Sequence, residues 1–291
     1  MMERTFYATV VISDVHLGTA FSKSLEAARF LQSVDCSRLI LNGDIIDGWH
    51  LRGNARRAWK REHTFFFRVI LKMMENRGTE VIYVRGNHDD FLDHLIPVEF
   101  ANLKVVKDFV HCSHGKRYYV THGDIFDHVT SHMRWLSKVG DVGYTLLLHA
   151  NRWYNRYRKA RGKPYFSFAR VVKQRVKGAV SYISDFEEAL VNVARAKQCQ
   201  GVICGHIHHA EDMWRGGIRY LNSGDWVESL TALVEDEAGE WRIIYHDASA
   251  EPEATATLYN EVSIGLEATA TRFRDAPAGV ETAATAYQPA I

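Results

Sequence analysis

Short apolar runs recur along the chain, and most of them are followed directly by a cluster of polar residues. Runs of a few residues rich in Val, Ile, Leu and Tyr are typical of buried β-strands. We predict strands over residues 8–13, 38–42, 80–85, 117–121 and 201–204. After Gly205, the runs at 218–221, 229–234 and 241–246 follow one another without a helical pattern between them.

Two segments between the first strands carry apolar residues at helical spacing. The first is 24–34, which Ser22 or Ser24 is expected to cap. The second is 64–76, which Gly78 is expected to end. Its apolar face consists of Phe66, Val69, Ile70 and Met73. Alternating strands and helices, followed by bare strands, predict an α/β fold in which two packed β-sheets are flanked by helices.

The pattern also divides the chain into regions. We predict a folded domain over 1–248, within which residues 125–196 form a helical insertion between two strands. Residues 249–291 are rich in Ala, Thr, Glu and Pro and contain few large apolar side chains. Such a composition buries too little apolar surface to offset the entropy of folding, so we predict a disordered tail.

Composition is that of an ordinary globular protein, with 46% hydrophobic and 24% charged residues. The first strand follows the N-terminus closely, without the basic and then apolar pattern of a secretory signal. The longest apolar run of the insertion, 142–148, is far shorter than the roughly 20 residues of a membrane-spanning helix. The four cysteines (Cys36, Cys112, Cys199 and Cys204) have no metal-finger spacing. We therefore expect reduced thiols in a cytoplasmic protein.

The polar clusters after five of the strands are rich in metal-ligand residue types. They read Asp14-Val-His16, Gly43-Asp-Ile-Ile-Asp47, Gly86-Asn-His-Asp-Asp90, His122-Gly-Asp124 and Gly205-His-Ile-His208. The carboxyl ends of strands are where open α/β sheets place their sites. The pairs Asp14/His16 and His206/His208 have a spacing that puts both side chains on one side of an extended segment. The glycines at 43, 86, 123 and 205 are expected to allow sharp turns and close approach.

This mixture of ligands suits a hydrolase that acts on phosphate. Two divalent ions about 3.5–4 Å apart can generate hydroxide near neutral pH and offset charge on phosphoryl oxygens. Carboxylate, imidazole and amide ligands suit Mn, Fe, Zn or Co better than a thiolate-preferring ion. Any one cluster could be an ordinary turn or a core histidine, but five of them, each at a strand end, predict a dinuclear metal site.

These clusters resemble the five signature blocks of the calcineurin-like metallophosphoesterase superfamily, D-x-H, G-D-x-x-D, G-N-H-D/E, x-H-G-D and G-H-x-H, over residues 8–247. The resemblance implies a four-layer sandwich. It implies that one ion is bound by Asp14, His16 and His208, and the other by Asn87, His122 and His206, with Asp44 bridging them. It further implies that His88 contacts the scissile phosphate and can protonate the leaving group. Either Asp47 or Asp89 is expected to orient His88.

The insertion is strongly basic. Residues 131–178 contain twelve Lys and Arg residues and one acidic residue, Asp141, together with many aromatic and leucine side chains. A basic helical region with interleaved aromatics suits an anionic membrane surface or an anionic amphiphilic lipid. We predict that Arg152 and Arg156 bind substrate, together with Asn87 and His88. The alternative is a helical cap whose basic side chains serve only to solvate it.

The position of this insertion, with Gly224-Asp-Trp-Val-Glu-Ser229 beyond it, resembles the UDP-2,3-diacylglucosamine pyrophosphohydrolase family of lipid A biosynthesis. The resemblance implies a manganese-dependent enzyme, peripheral on the cytoplasmic face of the inner membrane, that releases UMP and 2,3-diacylglucosamine 1-phosphate. The chain departs from that family at His88, where well-studied members carry Arg.

Three alternatives use the same residues. A pyrophosphatase of soluble nucleotide diphosphates, of the ADP-ribose or CDP-alcohol type, needs the same metal site. A nuclease would hold a strand with the basic insertion, although nucleic acid is not the expected partner. A non-catalytic scaffold ranks last, because all seven ligand residues are present.

Overall fold

The apolar runs form two β-sheets in the computed structural model, which describes residues 4–126, 151–163 and 177–248. The strands are β1 (Thr5–Ile12), β2 (Val34–Asn42), β3 (Glu80–Val84), β4 (Val98–Phe100), β5 (Leu103–Val106), β6 (Asp108–Ser113), β7 (Lys116–Thr121), β8 (Gly201–Cys204), β9 (Glu211–Arg215), β10 (Ile218–Asn222), β11 (Thr231–Glu235) and β12 (Trp241–Tyr245). The helices are α1 (Ser24–Ser33), α2 (Gly48–Ala58), α3 (Arg61–Arg77), α4 (151–160) and α5 (Lys177–Ala196).

The first sheet has the order β12-β11-β1-β2-β3-β5-β4. Its central strands β1, β2, β3 and β5 are parallel, so their carboxyl ends meet at one edge. Strands β11, β12 and β4 add antiparallel pairs at the two sides. Since β11 pairs directly with β1, the N-terminal strand lies inside the sheet rather than at its border.

The second sheet has the order β6-β7-β8-β10-β9. Strands β7, β8 and β10 are parallel, while β6 and β9 pair antiparallel at the borders. Apolar side chains of the two sheets meet in one core, in which Val11, Ile40 and Leu233 of the first sheet share a buried cluster with Val120 and Ile203 of the second. The sheets are therefore packed face to face.

Helices cover the outer faces of both sheets. On the first sheet, α1 and α3 pack against each other and bury apolar stripes that include Phe30, Leu31, Phe66 and Ile70. On the second sheet, α5 buries a stripe of its own, with Phe186, Leu190, Val191 and Ala194 in a cluster with Val202, Cys204 and Tyr220. The layers thus run helix, sheet, sheet, helix, which confirms the predicted fold class.

Several local expectations need correction. Helix α1 is preceded by Lys23 without a side-chain cap, so the capping prediction is wrong; the hydroxyl of Ser22 instead donates to the carbonyl of Val15. Gly78 ends α3 in a left-handed conformation, as expected. The sequence patterns missed α2 and strands β4, β5, β6 and β9.

Parts of the predicted organisation fall outside the described residues. The insertion 125–196 is described only at 125–126, 151–163 and 177–196, and the tail 249–291 is not described. The chain divides into units 1–250 and 251–291, the second of which lies outside the described residues. Within the described part of the chain, no helix is both long and apolar enough to cross a membrane.

Candidate metal centre

The five polar clusters lie at the carboxyl ends of β1, β2 and β3 in the first sheet and of β7 and β8 in the second. The structure brings their side chains together. Among the described residues, three groups have ligand atoms within 4.8 Å of one another: Asp14, His16 and His208; His16, Asp44 and His88; Asp44, His122 and His206. The groups overlap at His16 and Asp44, so they form one continuous constellation between the sheets.

The backbone that presents these side chains is left-handed rather than extended. Positive φ angles occur at Asp14 (53°), His16 (50°), Asp44 (52°), His206 (70°) and His208 (53°). The expectation of an extended segment for each i, i+2 pair is therefore wrong. A left-handed conformation costs a non-glycine residue about 1 kcal/mol or more, which the surrounding hydrogen bonds must offset. Examples are His16 N to Asp44 O, 2.9 Å, and Asp14 N to Gly43 O, 3.1 Å.

Two glycines permit close approach to the ligands. A Cβ atom added at Gly86 would lie 2.2 Å from Asp44 Oδ1, and one added at Gly43 would lie 2.4 Å from the His122 ring. Both distances are far below van der Waals contact. Any larger residue at either position would push a proposed ligand away.

The ligand atoms are close together without being satisfied by one another. His208 Nε2 lies 3.1 Å from Asp14 Oδ1, and His122 Nε2 lies 3.2 Å from Asp44 Oδ2. Even so, Asp14 Oδ1, His122 Nε2 and Asn87 Oδ1 are buried and have no hydrogen-bond partner in the part of the chain that the structure describes. Buried polar atoms normally have partners. Nitrogen and oxygen ligands about 2.0–2.2 Å from one ion are separated by roughly this much, so the donor set fits divalent metal ions.

His122 is prepared as a ligand by its other ring nitrogen. Nδ1 lies 2.9 Å from the carbonyl oxygen of Asn42 and is therefore the protonated nitrogen that donates there. The side-chain amide of Asn42 donates to the carbonyl of Thr121, which fixes the loop before His122. This arrangement leaves the Nε2 lone pair of His122 for a metal ion, as metal-binding histidines require.

The carboxylates of Asp14 and Asp44 are ionised at neutral pH. Burial raises the pKa of Asp14, but His208 opposes it, and the net pKa is about 2. Burial likewise raises the pKa of Asp44, and His122 lowers it well below its ordinary value. Burial lowers the pKa of His122, but the charge of Asp44 outweighs it and raises the pKa to about 10. Since Nδ1 of His122 faces the Asn42 carbonyl, the Asp44 carboxylate acts on the Nε2 side of the ring.

His88 lies beside this constellation and is held on three sides. Its Nδ1 is 3.0 Å from Asp47 Oδ2. Its ring centroid is 4.2 Å from that of Trp49 and 4.7 Å from that of His16. Burial lowers the pKa of His88, whereas Asp47 and Asp44 raise it, with a net increase.

Of the two aspartates expected to orient His88, the structure places Asp47 there. Asp89 has a different set of contacts, because it accepts hydrogen bonds from the backbone of Ile45 and Ile46 and from the hydroxyl of Tyr83. It thereby holds the loop that carries Asp44. The other oxygen of Asp47 accepts a hydrogen bond from His50 N, 2.7 Å, and so caps α2.

Two residues of the site were not singled out from the sequence. Arg85 binds Asp93 with distances of 2.8 and 2.9 Å and also pairs with Asp124, two residues after His122. It thus joins the end of β3 to the end of β7. Trp49 covers His88. Arg85 could have been found from its position directly before the Gly86 block. No sequence pattern indicated Trp49, because helix α2 was not predicted.

The predicted substrate residues of the insertion lie on α4. Arg152 and Arg156 are exposed. Arg152 Nη1 lies 3.4 Å from the carbonyl oxygen of Ala20, in the loop that follows His16. His209, the residue after the last proposed ligand, pairs with Glu211 at 3.2 Å.

Comparison with known proteins gives one family match. A model of the calcineurin-like phosphoesterase family matches residues 7–210. No match was found among curated proteins. Similar solved structures include a novel archaeal phosphodiesterase (14% identity, TM-score 0.40, covering 81% of this chain and 98% of that chain). Another is a predicted phosphoesterase from Streptococcus pneumoniae TIGR4 (14%, 0.34, 82% and 97%). A third is wild-type Vps29 complexed with Zn2+ from Entamoeba histolytica (14%, 0.36, 82% and 98%).

Proposed function

The chain belongs to the calcineurin-like phosphoesterase family and is a metal-dependent phosphoester hydrolase, and we propose that it cleaves the pyrophosphate of UDP-2,3-diacylglucosamine. The products would be UMP and 2,3-diacylglucosamine 1-phosphate. The assignment as a hydrolase rests on three groups of ligand atoms that converge where the carboxyl ends of strands from both sheets meet. The substrate is the finer part of the proposal and has its own support below.

In this proposal two ions share the constellation. Asp14, His16 and His208 would hold one, Asn87, His122 and His206 would hold the other, and Asp44 would serve both. Support comes from Asp44, whose Oδ2 lies 3.2 Å from His122 Nε2 and 4.0 Å from His16 Nε2. When bound, the ions supply positive charge for the phosphoryl oxygens and lower the pKa of water. We propose manganese, and the ligand types also suit Fe, Zn or Co.

His88 is the proposed proton donor to the leaving oxygen. Asp47 lies against Nδ1 and favours the imidazolium form of His88, from which Nε2 would donate its proton to the leaving oxygen. The backbone N–H of His88 donates to Asp44 Oδ1, 2.8 Å, which fixes the donor relative to the bridging carboxylate. Side-chain exposure of 24% leaves His88 accessible to a substrate.

The insertion supports an acylated, anionic substrate. Residues 131–178 of it contain twelve basic residues and one acidic residue, a charge that suits a pyrophosphate and an anionic membrane surface. Within it, α4 exposes Trp153 (80%) and Tyr157 (55%). The contact of Arg152 with Ala20 places this helix beside the loop that follows His16. We therefore propose that Arg152 and Arg156 bind substrate and that the enzyme associates peripherally with the cytoplasmic face of the inner membrane.

A second candidate is a pyrophosphatase of soluble nucleotide diphosphates. It is favoured by one observation, which is His88 at the position where the diacylglucosamine family carries Arg. A change from guanidinium to imidazole removes a fixed charge and a bidentate donor. Such a change alters how the phosphate is held and therefore which substrate is preferred.

The experiment compares four substrates on manganese-loaded full-length protein: UDP-2,3-diacylglucosamine, UDP-glucosamine, ADP-ribose and single-stranded DNA. We expect strong preference for the acylated compound, with UMP as a product. The preference should fall in Trp153→Ser and persist in Trp214→Ser, a matched exposed tryptophan on β9. Equal rates with and without acyl chains would establish the soluble-nucleotide candidate. DNA cleavage with a steep salt dependence would establish a nuclease.

A further inference from the structure

The indole of Trp49 covers one side of the proposed proton donor. Its ring centroid lies 4.2 Å from that of His88, with 35° between the planes. On another side, the ring of His16 meets His88 nearly edge-on, at 4.7 Å and 86°. With Asp47 at Nδ1, these neighbours leave His88 little freedom to rotate. Of the two rings, that of Trp49 lies closer.

Trp49 is itself fixed by a polar relay on the surface. Its Nε1 donates to Asp90 Oδ2, 3.3 Å. Asp90 is in turn held by Arg52, whose Nη2 donates to both carboxylate oxygens at 2.7 and 2.9 Å. Arg52 and Trp49 both belong to α2, so the relay ties the indole to the short helical turn that begins at Asp90.

A second aromatic ring, that of Phe91, lies over the backbone of Gly48, the residue before Trp49. Phe91 packs over Gly48, where an added Cβ would lie 2.7 Å from Phe91 Cδ1 and 2.9 Å from the carbonyl oxygen of His88. Only glycine therefore allows this ring to lie so close to the His88 loop. We call these two side chains the aromatic wall (Trp49 and Phe91): Trp49 lies against the His88 ring, and Phe91 lies close to Gly48, which also approaches the His88 carbonyl.

Both side chains of the aromatic wall are partly exposed. Trp49 is 49% exposed and Phe91 is 40% exposed. Large aromatic side chains contribute most when they are buried, and an exposed apolar patch beside a site often marks a binding surface. A tryptophan that is hydrogen-bonded in place, with one face against a catalytic group and the rest exposed, offers a surface to a ligand.

We propose that Trp49 is a positioning residue for His88 and that, together with Phe91, it receives the apolar part of the substrate attached to the scissile phosphate. This inference rests on the proposed hydrolase function and extends it to substrate selection. The chemistry recognised is a flat or apolar group, which a nucleobase or an acyl chain can supply. The wall therefore favours substrates that carry such a group over bare phosphates.

The test uses Trp49→Ala, Trp49→Phe and Phe91→Ala on manganese-loaded full-length protein. Substrates are UDP-2,3-diacylglucosamine, UDP-glucosamine and the generic aromatic diester bis(p-nitrophenyl) phosphate. Trp49→Ala should lower kcat about tenfold on every substrate that is cleaved, because His88 loses its support. It should also raise KM about tenfold for substrates with the recognised group, since stacking is lost. Trp49→Phe should restore most of kcat, and Phe91→Ala should raise KM chiefly.

The outcomes separate this inference from the proposed substrate. A larger KM effect with acyl chains identifies those chains as the group received, and an equal effect on both UDP compounds identifies the base. If the protein cleaves the generic diester and neither UDP compound, the proposed substrate is wrong, and the diester still measures Trp49. Trp214→Ala is the surface control and should leave both constants unchanged. Unchanged kcat and KM in Trp49→Ala, or loss of metal in that variant, would overturn the inference.

Discussion

Asp47 contacts His88 and caps a helix with its two different carboxylate oxygens. Oδ2 lies 3.0 Å from His88 Nδ1, while Oδ1 accepts the backbone hydrogen bond of His50 that starts α2. Helix α2 in turn carries Trp49, which covers the same imidazole. A single carboxylate therefore sets both the direct contact to His88 and the position of the helix that packs on it.

The first prediction separates proton donation from metal binding. His88→Ala should lower kcat by about 10²–10⁴-fold, the usual size of general acid–base help, and Asp47→Asn should lower it less. The metal content of His88→Ala should stay near that of the wild type, as measured by elemental analysis. If His88→Ala loses metal, His88 is instead a metal ligand. Its ring lies close enough to His16 and Asp44 for that role.

The second prediction concerns the bridging carboxylate. Asp44→Asn keeps the shape of the side chain but removes the negative charge shared by both proposed ions, so metal affinity and activity should both be lost. The fold should persist, which circular dichroism can check. Glu237→Gln, an exposed residue of a surface turn, is the matched control and should bind metal normally. Full activity in Asp44→Asn would contradict the two-ion assignment.

The third prediction uses two glycines with opposite surroundings. Gly86→Ala would place a methyl group 2.2 Å from Asp44 Oδ1 and should displace the carboxylate, with loss of metal and of activity. Gly53→Ala, inside α2, meets nothing within 4 Å. Because alanine favours helix over glycine by about 0.5–1 kcal/mol, Gly53→Ala should leave activity unchanged and raise the urea midpoint slightly. Metal retention by Gly86→Ala would contradict the prediction and show that the loop can shift to accommodate the methyl group.

The fourth prediction tests the clamp at Arg85. Arg85→Met removes the bidentate pair with Asp93 and the pair with Asp124, so the loops after β3 and β7 lose their link. We expect a loss of about 1–2 kcal/mol in stability and weaker metal binding, measured by competition with a chelator. Arg85→Lys should fall between, since lysine cannot form the fork. Arg4→Met breaks a 3.7 Å surface pair with Asp35 and should change neither quantity.

The fifth prediction concerns pH and a histidine outside the metal centre. Burial lowers the pKa of His63 to about 4, and its Nδ1 accepts the backbone hydrogen bond of Lys60 at the start of α3. The unfolded chain, with a pKa of 6.5, binds a proton that the folded chain rejects between pH 6.5 and 4. Stability is therefore full above pH 6.5 and falls as the pH decreases.

The measurement is urea unfolding at pH 7 and pH 5 for the wild type and His63→Gln. Glutamine can still accept the Lys60 hydrogen bond as a capping-box residue but does not titrate. Wild-type protein should lose about 2 kcal/mol more than the variant between the two pH values. Equal losses would mean that His63 is protonated in the folded state.

The sequence predicted the parts of the fold that are most deeply buried. Strands β1 and β8 were visible because residues such as Val11 and Ile203 are fully buried, so apolar runs are uninterrupted there. Strands β4 and β9 were missed because they border the sheets and expose residues such as Phe100 (75%) and Trp214 (65%). Helix α2 lacks an apolar stripe and begins because Asp47 caps it.

In the candidate site, too, some features could be predicted from the sequence and others could not. The ligand residue types and their order along the chain could be predicted from the sequence, as for Asp14 and His208. The reason is that few kinds of side chain can bind a metal ion. The left-handed backbone at those residues could not be predicted from the sequence, since neither residue is glycine and neighbouring loops impose the conformation. Whether Asp47 or Asp89 faces His88 depended on which of them bonds the amides of Ile45 and Ile46, a contact between loops far apart in sequence.

The division of the centre between two sheets has a consequence for protein synthesis. Asp14 is synthesised well before His206 and His208, which follow β8. Strand β1 also awaits its neighbour β11, which is made later still. A nascent chain therefore cannot complete the ion-binding constellation, and cofactor loading comes after translation has passed these strands.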